Sequence, residues 1–201
     1  MRTEAADDTP AIAALAARLV IDEGMEYGPA KHKAARTLER RGARRPALPS
    51  NEAIEDEVRS QLKLFHGDDQ PADLAALRDL ALRWMERLAA FRPHLSGAAW
   101  RGTATRLSAL HLDLYCDDTK AAQIEMINLG VDFDCSNLPG DTTIVLSFAQ
   151  RCADWREAVT IHLSLHDHDD LRGALKPDPR GQTWRGDAQT LQRRLAEGAG
   201  T

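Results

Sequence analysis

The sequence predicts an α/β (α+β) protein, with a helical N-terminal half followed by a mixed β-sheet with flanking helices. Two observations predict this class. Apolar residues repeat every three or four positions up to Pro93, and beyond it they alternate with polar residues in several short segments. A chain of 201 residues is long enough to bury a core of ordinary size. We expect an N-terminal helical region at 1–70, an α/β core at 71–177 and a C-terminal loop and helix at 178–201.

Composition and charge favour a globular protein of the cytoplasm. No apolar run is long enough to span a membrane, and the N-terminus lacks the basic and apolar regions of a signal peptide. Cys116, Cys135 and Cys152 form no CxxC pair, which favours three reduced thiols over a disulfide or a zinc site. The formal net charge of −5 excludes a protein that binds nucleic acid over its whole surface.

Turn and cap residues mark three predicted helices in the N-terminal region. Thr9-Pro10 fits the start of a helix that ends at Gly24, because proline's missing N–H costs nothing in the first turn. Gly28-Pro29 begins a second helix, which we expect to end at Gly42. Ser50 is predicted to cap a third helix, since its hydroxyl can accept a hydrogen bond from a backbone N–H.

The fourth predicted helix opens at Pro71 and carries the longest apolar stripe of the chain. Its members alternate spacings of three and four over more than four turns. The stripe comprises Leu74, Leu77, Ala81, Trp84, Leu88 and Phe91. Such a stripe is typical of a packing surface, and we expect it to join the helical half to the sheet.

A basic cluster on the second helix could bind phosphate groups, or it could be a solvated helix face balanced by acidic residues elsewhere. Its members are Lys31, Lys33, Arg36, Arg40, Arg41, Arg44 and Arg45. If the cluster does bind, the protein would be a non-catalytic interaction module for RNA or an acidic partner. In that alternative the sheet would be structural.

Alternation of polar and apolar residues predicts the sheet. Leu95–Trp100 is a short strand candidate that leads to Gly102-Thr103, and Leu110–Tyr115 alternates strictly, as a strand with one buried face does. The remaining elements are predicted as strands at 131–135, 142–148 and 158–165 and helices at 119–129 and 188–195.

Ionisable residues share the polar face of these predicted strands. They are His111, Asp113 and Tyr115 on one strand, His162, Ser164 and His166 on a second, and Asp132 and Asp134 on a third. Imidazoles suit transition metals and proton transfer, while carboxylates suit Mg²⁺. Three readings stay open: a wet sheet face without function, a Mg²⁺ site, and a transition-metal hydrolase that uses His162, His166 and His168.

The segment Gly97–Thr103, followed by Ser108–Leu114, resembles the core of the nucleotidyltransferase superfamily. In that family a strand ends in a small pair of residues, a short helix follows, and the next strand carries two carboxylates one residue apart. The segment Glu26–Ala35 is also similar to the start of small bacterial proteins with this kind of core. The resemblance therefore implies a nucleotidyltransferase-like mixed sheet over about half of the chain.

The resemblance also implies a site and its ligands. Gly102, Thr103 and Ser108 would contact the phosphates of a nucleoside triphosphate. His111 and Asp113 would be the catalytic pair, and Asp113, Asp132 and Asp134 would hold Mg²⁺. The acceptor would be RNA or a protein. The carboxylate pair is degenerate, because the strand offers His111 where a second carboxylate is expected, and this leaves nucleotidyl transfer open.

Overall fold

The computed structural model describes residues 8–38, 47–137, 143–153, 155–178 and 180–198. The chain divides into two compact units, Met1–Pro71 and Ala72–Thr201. The first unit is helical and the second contains the sheet. This arrangement confirms the predicted mixed α/β class, with helices first and a mixed sheet after them.

In the described part of the first unit the chain forms three helices: α1 (Thr9–Glu23), α2 (Tyr27–Leu38) and α3 (Asn51–Phe65). Two of the predicted helix boundaries, at Gly24 and Ser50, are confirmed in detail. Gly24 ends α1 in the left-handed conformation, with φ of 65°, and the Ser50 hydroxyl accepts a hydrogen bond of 3.1 Å from the Ala53 N–H. The predicted end of the second helix at Gly42 lies outside the described residues. The core of this unit is built from Ile12, Ala16, Val20, Ala30, Ala34, Ile54 and Val58.

The long stripe belongs to α4 (Gln70–Arg87) and the 3-10 turn that follows it, Ala89–Phe91. Leu77, Trp84 and Leu88 are buried in the same core as the apolar side of the sheet, which confirms their predicted place in the core. The Trp84 ring lies 4.7 Å from the Phe148 ring in an edge-on arrangement. The stripe is therefore a helix-to-sheet packing surface within the second unit.

The sheet of the second unit is mixed, with the strand order β3-β4-β5-β2-β1-β6. Among the described strands β2 and β5 run parallel, and the other neighbouring pairs are antiparallel. The strands are β1 (His94–Ser96), β2 (Leu110–Cys116), β3 (Asp134–Asn137), β4 (Ile144–Arg151), β5 (Ala158–Asp167) and β6 (Arg185–Gly186). The helices are α5 (Gly97–Arg101), α6 (Thr119–Asn128), α7 (Leu171–Ala174) and α8 (Ala188–Gly198). None of the described helices has the length and hydropathy required to span a membrane.

Two local predictions were wrong. The strand expected at 95–100 is only three residues long, because Gly97 adopts a left-handed φ of 66° and begins α5. The short helix therefore precedes Gly102-Thr103 instead of following this pair. The second error is the segment expected to be a loop before α8, where β6 pairs with β1 as the edge of the sheet.

Candidate functional site

Strand register places one set of polar side chains on a single side of the sheet, here called the polar face. His111 of β2 pairs with His162 of β5, Asp113 with Ser164, and Tyr115 with His166. Paired residues point to the same side, and the leucines between them point to the other. Leu110, Leu112 and Leu114 are fully buried there. The polar face also contains His94, Ser96, Asp134, Ser147 and Arg185.

Asp113 is the centre of an ion-pair network on the polar face. Its side chain is 9% exposed; Arg185 Nη1 lies 3.1 Å from Oδ2, and His166 Nε2 lies 3.4 Å from Oδ1. Arg185 Nη1 also donates a hydrogen bond of 2.5 Å to the Tyr115 hydroxyl. Asp113 Oδ2 and Arg185 Nε form no hydrogen bond of good geometry with the described residues, although the Ser96 side chain lies close enough to Asp113 to lower its pKa.

These contacts shift two acid groups in opposite directions. Burial raises the pKa of Asp113, but the hydrogen bond with His166, the positive charge of Arg185 and a hydrogen bond with Ser96 are among the contacts that outweigh burial and leave the pKa below its ordinary value. Burial raises the pKa of Tyr115 above that of a free phenol, against the opposing effect of Arg185. At neutral pH the site therefore contains a carboxylate paired with a guanidinium, beside a protonated phenol.

Aromatic rings extend the polar face on both sides of Asp113. The Tyr115 ring stacks on the His166 ring at 5.3 Å, and the edge of His94 meets Tyr115 at 5.3 Å. Farther along, the His111 and His162 rings lie 5.0 Å apart, and His162 Nδ1 is 2.8 Å from the Ser147 hydroxyl. Because His111, His162 and His166 are partly exposed, the face presents ring surfaces to solvent next to one buried ion pair.

The predicted metal carboxylates do not come together. Asp134 begins β3, which β4 and β5 separate from β2, roughly 14 Å away at ordinary strand spacing. Asp132 is exposed and precedes that strand. In the described part of the chain no three His, Cys, Asp or Glu side chains could hold a metal, including His162, His166 and His168. The residues that the structure describes around Asp113 therefore do not fit Mg²⁺, which prefers several carboxylate, carbonyl or water oxygens around one centre.

Gly102, Thr103 and Ser108, which were predicted to contact phosphate, serve the local fold. The N–H groups of Gly102 and Thr103 both lie 2.9 Å from the Ala98 carbonyl and end α5. The Ser108 hydroxyl accepts a 3.0 Å hydrogen bond from the Thr105 N–H. Thr103 and Ser108 are buried. Ser96-Gly97 is a small pair that does lie between a strand and a short helix, and it was not predicted as a phosphate contact.

Arg185 was also missed, and the C-terminal segment explains how it reaches Asp113. Arg101 Nη1 forms a buried ion pair of 3.0 Å with Asp178 Oδ2, and Trp100 Nε1 donates to the Thr183 carbonyl at 2.8 Å. These contacts fix the segment before β6 against α5. A two-residue strand is too short to show alternation in the sequence. The position of Arg185 therefore follows only from the pairing of β6 with β1.

Two of the three described members of the basic cluster form contacts within the first unit. Lys33 forms an ion pair of 2.6 Å with Glu23, and Lys31 donates a 2.8 Å hydrogen bond to Asn51 Oδ1. Arg40, Arg41, Arg44 and Arg45 lie outside the described residues. The interaction-module alternative therefore stays a prediction.

No protein-family profile matches the sequence, and no curated protein matches it. Solved structures of Cid1 poly(U) polymerase, a nucleotidyltransferase-superfamily member, are similar to part of the chain. A MgGTP-bound structure has 11% identity and a TM-score of 0.36, and the match covers 56% of this chain and 38% of that one. A complex with ApU has 16% identity and a TM-score of 0.36 over 57% and 37%. A cytoplasmic RNA terminal U-transferase has 15% identity and a TM-score of 0.35 over 60% and 39%. Such partial likeness assigns neither family nor activity to this chain.

Proposed function

We propose that the protein is a nucleotidyltransferase-like protein of the cytoplasm that binds a nucleotide on the polar face without a metal ion and without catalysing metal-dependent transfer. The observation that carries the proposal is the contact of 3.1 Å between Arg185 Nη1 and Asp113 Oδ2. Arginine remains charged at all physiological pH values, so a guanidinium stands beside the one central carboxylate that could attract a cation. A second cation at this place would be repelled by the first.

A nucleotide can form hydrogen bonds with two polar atoms of the polar face that lack a well-oriented partner among the described residues. Asp113 Oδ2 can accept a hydrogen bond and Arg185 Nε can donate one, and buried polar atoms without a well-oriented partner among the described residues call for a water, ion or ligand. A ribose hydroxyl or base amino group would satisfy the carboxylate, and a phosphate or carbonyl oxygen would satisfy the guanidinium. The partly exposed rings of His111 and His162 offer surfaces on which a base can stack.

The resemblance of the sequence to nucleotidyltransferases supports a nucleotide as the ligand. It implies a nucleoside triphosphate, with RNA or a protein as a second partner. The ligand is of this class and binds without a metal ion. His111 and Asp113, which the resemblance assigns to catalysis, then act as ligand contacts. Tyr115 and His166 hold the ion pair in place through stacking and hydrogen bonding.

Thermal unfolding of the full chain with each nucleoside triphosphate tests the proposal, once with Mg²⁺ and once with a chelator. A ligand at a hundredfold excess over its Kd adds about 2.7 kcal/mol to the free energy of unfolding. We expect one nucleotide to raise the unfolding midpoint equally in both conditions. Arg185→Gln should abolish the shift, whereas Arg172→Gln, an exposed arginine of α7, should preserve it. A shift that needs Mg²⁺, or incorporation of labelled nucleotide into RNA, would overturn the metal-free, non-catalytic assignment.

A further inference from the structure

Two histidines form a face-to-face pair in the middle of the polar face. His111 of β2 and His162 of β5 are register partners on neighbouring parallel strands, so their side chains leave the sheet on the same side. Their rings lie 5.0 Å apart, with an angle of 30° between the ring planes. Both residues are partly exposed. These two residues, here called the histidine pair, are therefore within reach of a ligand on the polar face.

The two rings of the histidine pair do not both become charged readily. A histidine side chain changes its charge between about pH 5 and 8. Two imidazolium rings separated by 5.0 Å would repel each other, so the first proton disfavours the second. Groups this close titrate together, and the proton belongs to the pair rather than to either ring. The number of protons that the pair holds near neutral pH is thus sensitive to any charge that binds beside it.

The contacts of the histidine pair are compatible with a gain of charge. His162 Nδ1 lies 2.8 Å from the Ser147 hydroxyl. A hydroxyl can donate to a neutral ring nitrogen and accept from a protonated one, so this hydrogen bond persists in both charge states. A methyl group at Gly97 would lie 3.3 Å from Cδ2 of His111, so the start of α5 packs close to that ring. The rings can therefore change charge without leaving their positions.

Every strand of the sheet places a charged or titratable side chain on the polar face around the histidine pair. They are His94 of β1, Asp113 of β2, Asp134 of β3, Arg151 of β4, His166 of β5 and Arg185 of β6. Asp113 is roughly 7 Å from His111 at the ordinary rise of a strand, but its charge is paired with that of Arg185. At ordinary spacing Asp134 and Arg151 are roughly 10 Å or more from His162, a distance at which salt screens exposed charges. A charged ligand bound beside the pair would therefore act on it more strongly than these residues do.

We propose that nucleotide binding on the polar face is coupled to the uptake of a proton by the histidine pair. This inference rests on the proposed function, because the charge that favours the proton is that of the nucleotide's phosphate groups. A ligand that favours the protonated pair must, by linkage, bind more tightly when the pair is protonated. The affinity should therefore rise as the pH falls through the range in which the pair titrates, and it should be constant above and below that range.

Calorimetry of the full chain with ATP, GTP, CTP or UTP, in the presence of a chelator, tests the coupling. Titrations at about pH 6, 7 and 8 give the affinities, and a second buffer of different ionisation enthalpy gives the number of protons taken up. The pair variant combines His111→Gln with His162→Gln. The control variant combines His32→Gln with His66→Gln, which are exposed residues of the first unit. Because the terminal phosphate of the ligand itself titrates near about pH 6, the difference between the two variants measures the contribution of the pair.

For the nucleotide that binds, we expect parent and control variant to show about fivefold higher affinity at pH 6 than at pH 8, with uptake of roughly half a proton at pH 7. The pair variant should lose both effects. Ser147→Ala should reduce them, because protonated His162 loses its acceptor, whereas Ser147→Thr keeps a hydroxyl and should retain them. If the pair variant does not fold or bind, magnetic resonance of the parent decides, since nucleotide should move the titration of the His111 and His162 ring protons to higher pH.

Two results would overturn the coupling and leave nucleotide binding in place. One is a parent protein with the same affinity at pH 6 and pH 8, no proton uptake and a ring titration that nucleotide does not alter. The other is proton uptake that persists unchanged in the pair variant, which would assign the proton to another group such as His166 or the ligand's phosphate. A parent protein that binds none of the four nucleotides at any of these pH values would instead contradict the proposed function, and the coupling with it.

Discussion

The two faces of the sheet show how differently apolar and polar surfaces are specified. On the apolar face Leu110, Leu112 and Ile161 are fully buried in the core that also contains residues of α4, and their role follows from alternation alone. On the polar face Asp113 of β2 depends on Arg185, which belongs to β6. In the sheet β6 lies two strands away from β2, with β1 between them. Hydrophobic burial has no direction and accepts any apolar neighbour, whereas an ion pair needs one particular partner at one distance.

The residues of the two faces also differ in how they contribute to the free energy of unfolding. Apolar burial adds about 25 cal/mol per Å² of surface, so each leucine contributes to stability on its own. A buried ion pair roughly offsets its desolvation, and its removal matters mainly through the partner that is left unpaired. We therefore expect changes on the apolar face to lower stability most, and changes on the polar face to alter pH dependence and ligand binding.

The largest effect is expected for Leu88→Ala. Leu88 is fully buried in the core shared with the sheet, and truncation of a buried leucine costs on the order of 2–5 kcal/mol. The urea midpoint of unfolding measures the loss. Leu107→Ala is the matched control, because Leu107 is 60% exposed and the same truncation there should change the free energy by less than about 0.5 kcal/mol. Equal midpoints for the two variants would show that Leu88, the residue after α4, is not packed in the core shared with the sheet.

Gly186→Ala tests the packing of β6, the strand that contains Arg185. A methyl group at Gly186 would lie 2.0 Å from Cη2 of the Trp100 ring, so either β6 or the ring must move. Overpacking of this kind costs about 1–3 kcal/mol. Gly173→Ala, where an added methyl group meets nothing within 4 Å, is the control and should be near neutral. Denaturation curves of both variants compare the costs, and a Gly186→Ala protein as stable as the parent would contradict this packing of β6 on Trp100.

Asp113→Asn should have a smaller effect on stability and a clear effect on its pH dependence. Because Arg185 and His166 are partly exposed, solvent screening limits the cost to about 1 kcal/mol at neutral pH. The pKa of Asp113 is lower in the folded state than in the unfolded chain. Its contribution is therefore present above about pH 4 and is lost as the pH falls through the folded-state pKa.

The acid limb of stability in the Asp113→Asn protein should thus be shallower than in the parent. It should not vanish, because a hydrogen bond from the Gln182 N–H lowers the pKa of Asp178 and one from the Thr190 hydroxyl lowers that of Asp187. Unfolding curves between about pH 2 and 6 measure the limb. Asp117→Asn, at an exposed position, is the charge-matched control. An unchanged acid limb in Asp113→Asn would contradict the ion-pair network.

Elements with strong periodicity could be predicted from the sequence, and short elements could not. The strand at Leu110–Cys116 and the helix with Trp84 follow from spacings of two and of three to four. The three-residue β1 and two-residue β6 are too short to show a period. Tertiary contacts decide where these strands end. Gly97, which follows β1 and begins α5, lies close to the His111 side chain, and Gly186 of β6 lies against the Trp100 ring.

The sequence also predicts that His111 and Asp113 lie on one face of the sheet, but it does not indicate which residues contact them there. Arg185 and Tyr115 are 70 positions apart, and no local pattern connects them. The expected third carboxylate failed to join Asp113 because β4 and β5 lie between β2 and β3. Strand order is decided by long-range pairing, so alternation identifies a face without telling which residues are adjacent on it.

The smallest effect is expected for Lys33→Gln in the first unit, and it tests whether the basic cluster binds anything. Lys33 and Glu23 are 44% and 48% exposed, and an exposed pair of this kind contributes at most about 0.5–1 kcal/mol. Because Asn51 and Glu23 already engage Lys31 and Lys33, the triple variant Lys31→Gln, Lys33→Gln and Arg36→Gln should keep the parent's RNA affinity and salt slope. A slope that falls by about 2 with folding unchanged would instead make α2 the nucleic-acid surface. That outcome would move the function away from both faces of the sheet, which no substitution in the second unit could reveal.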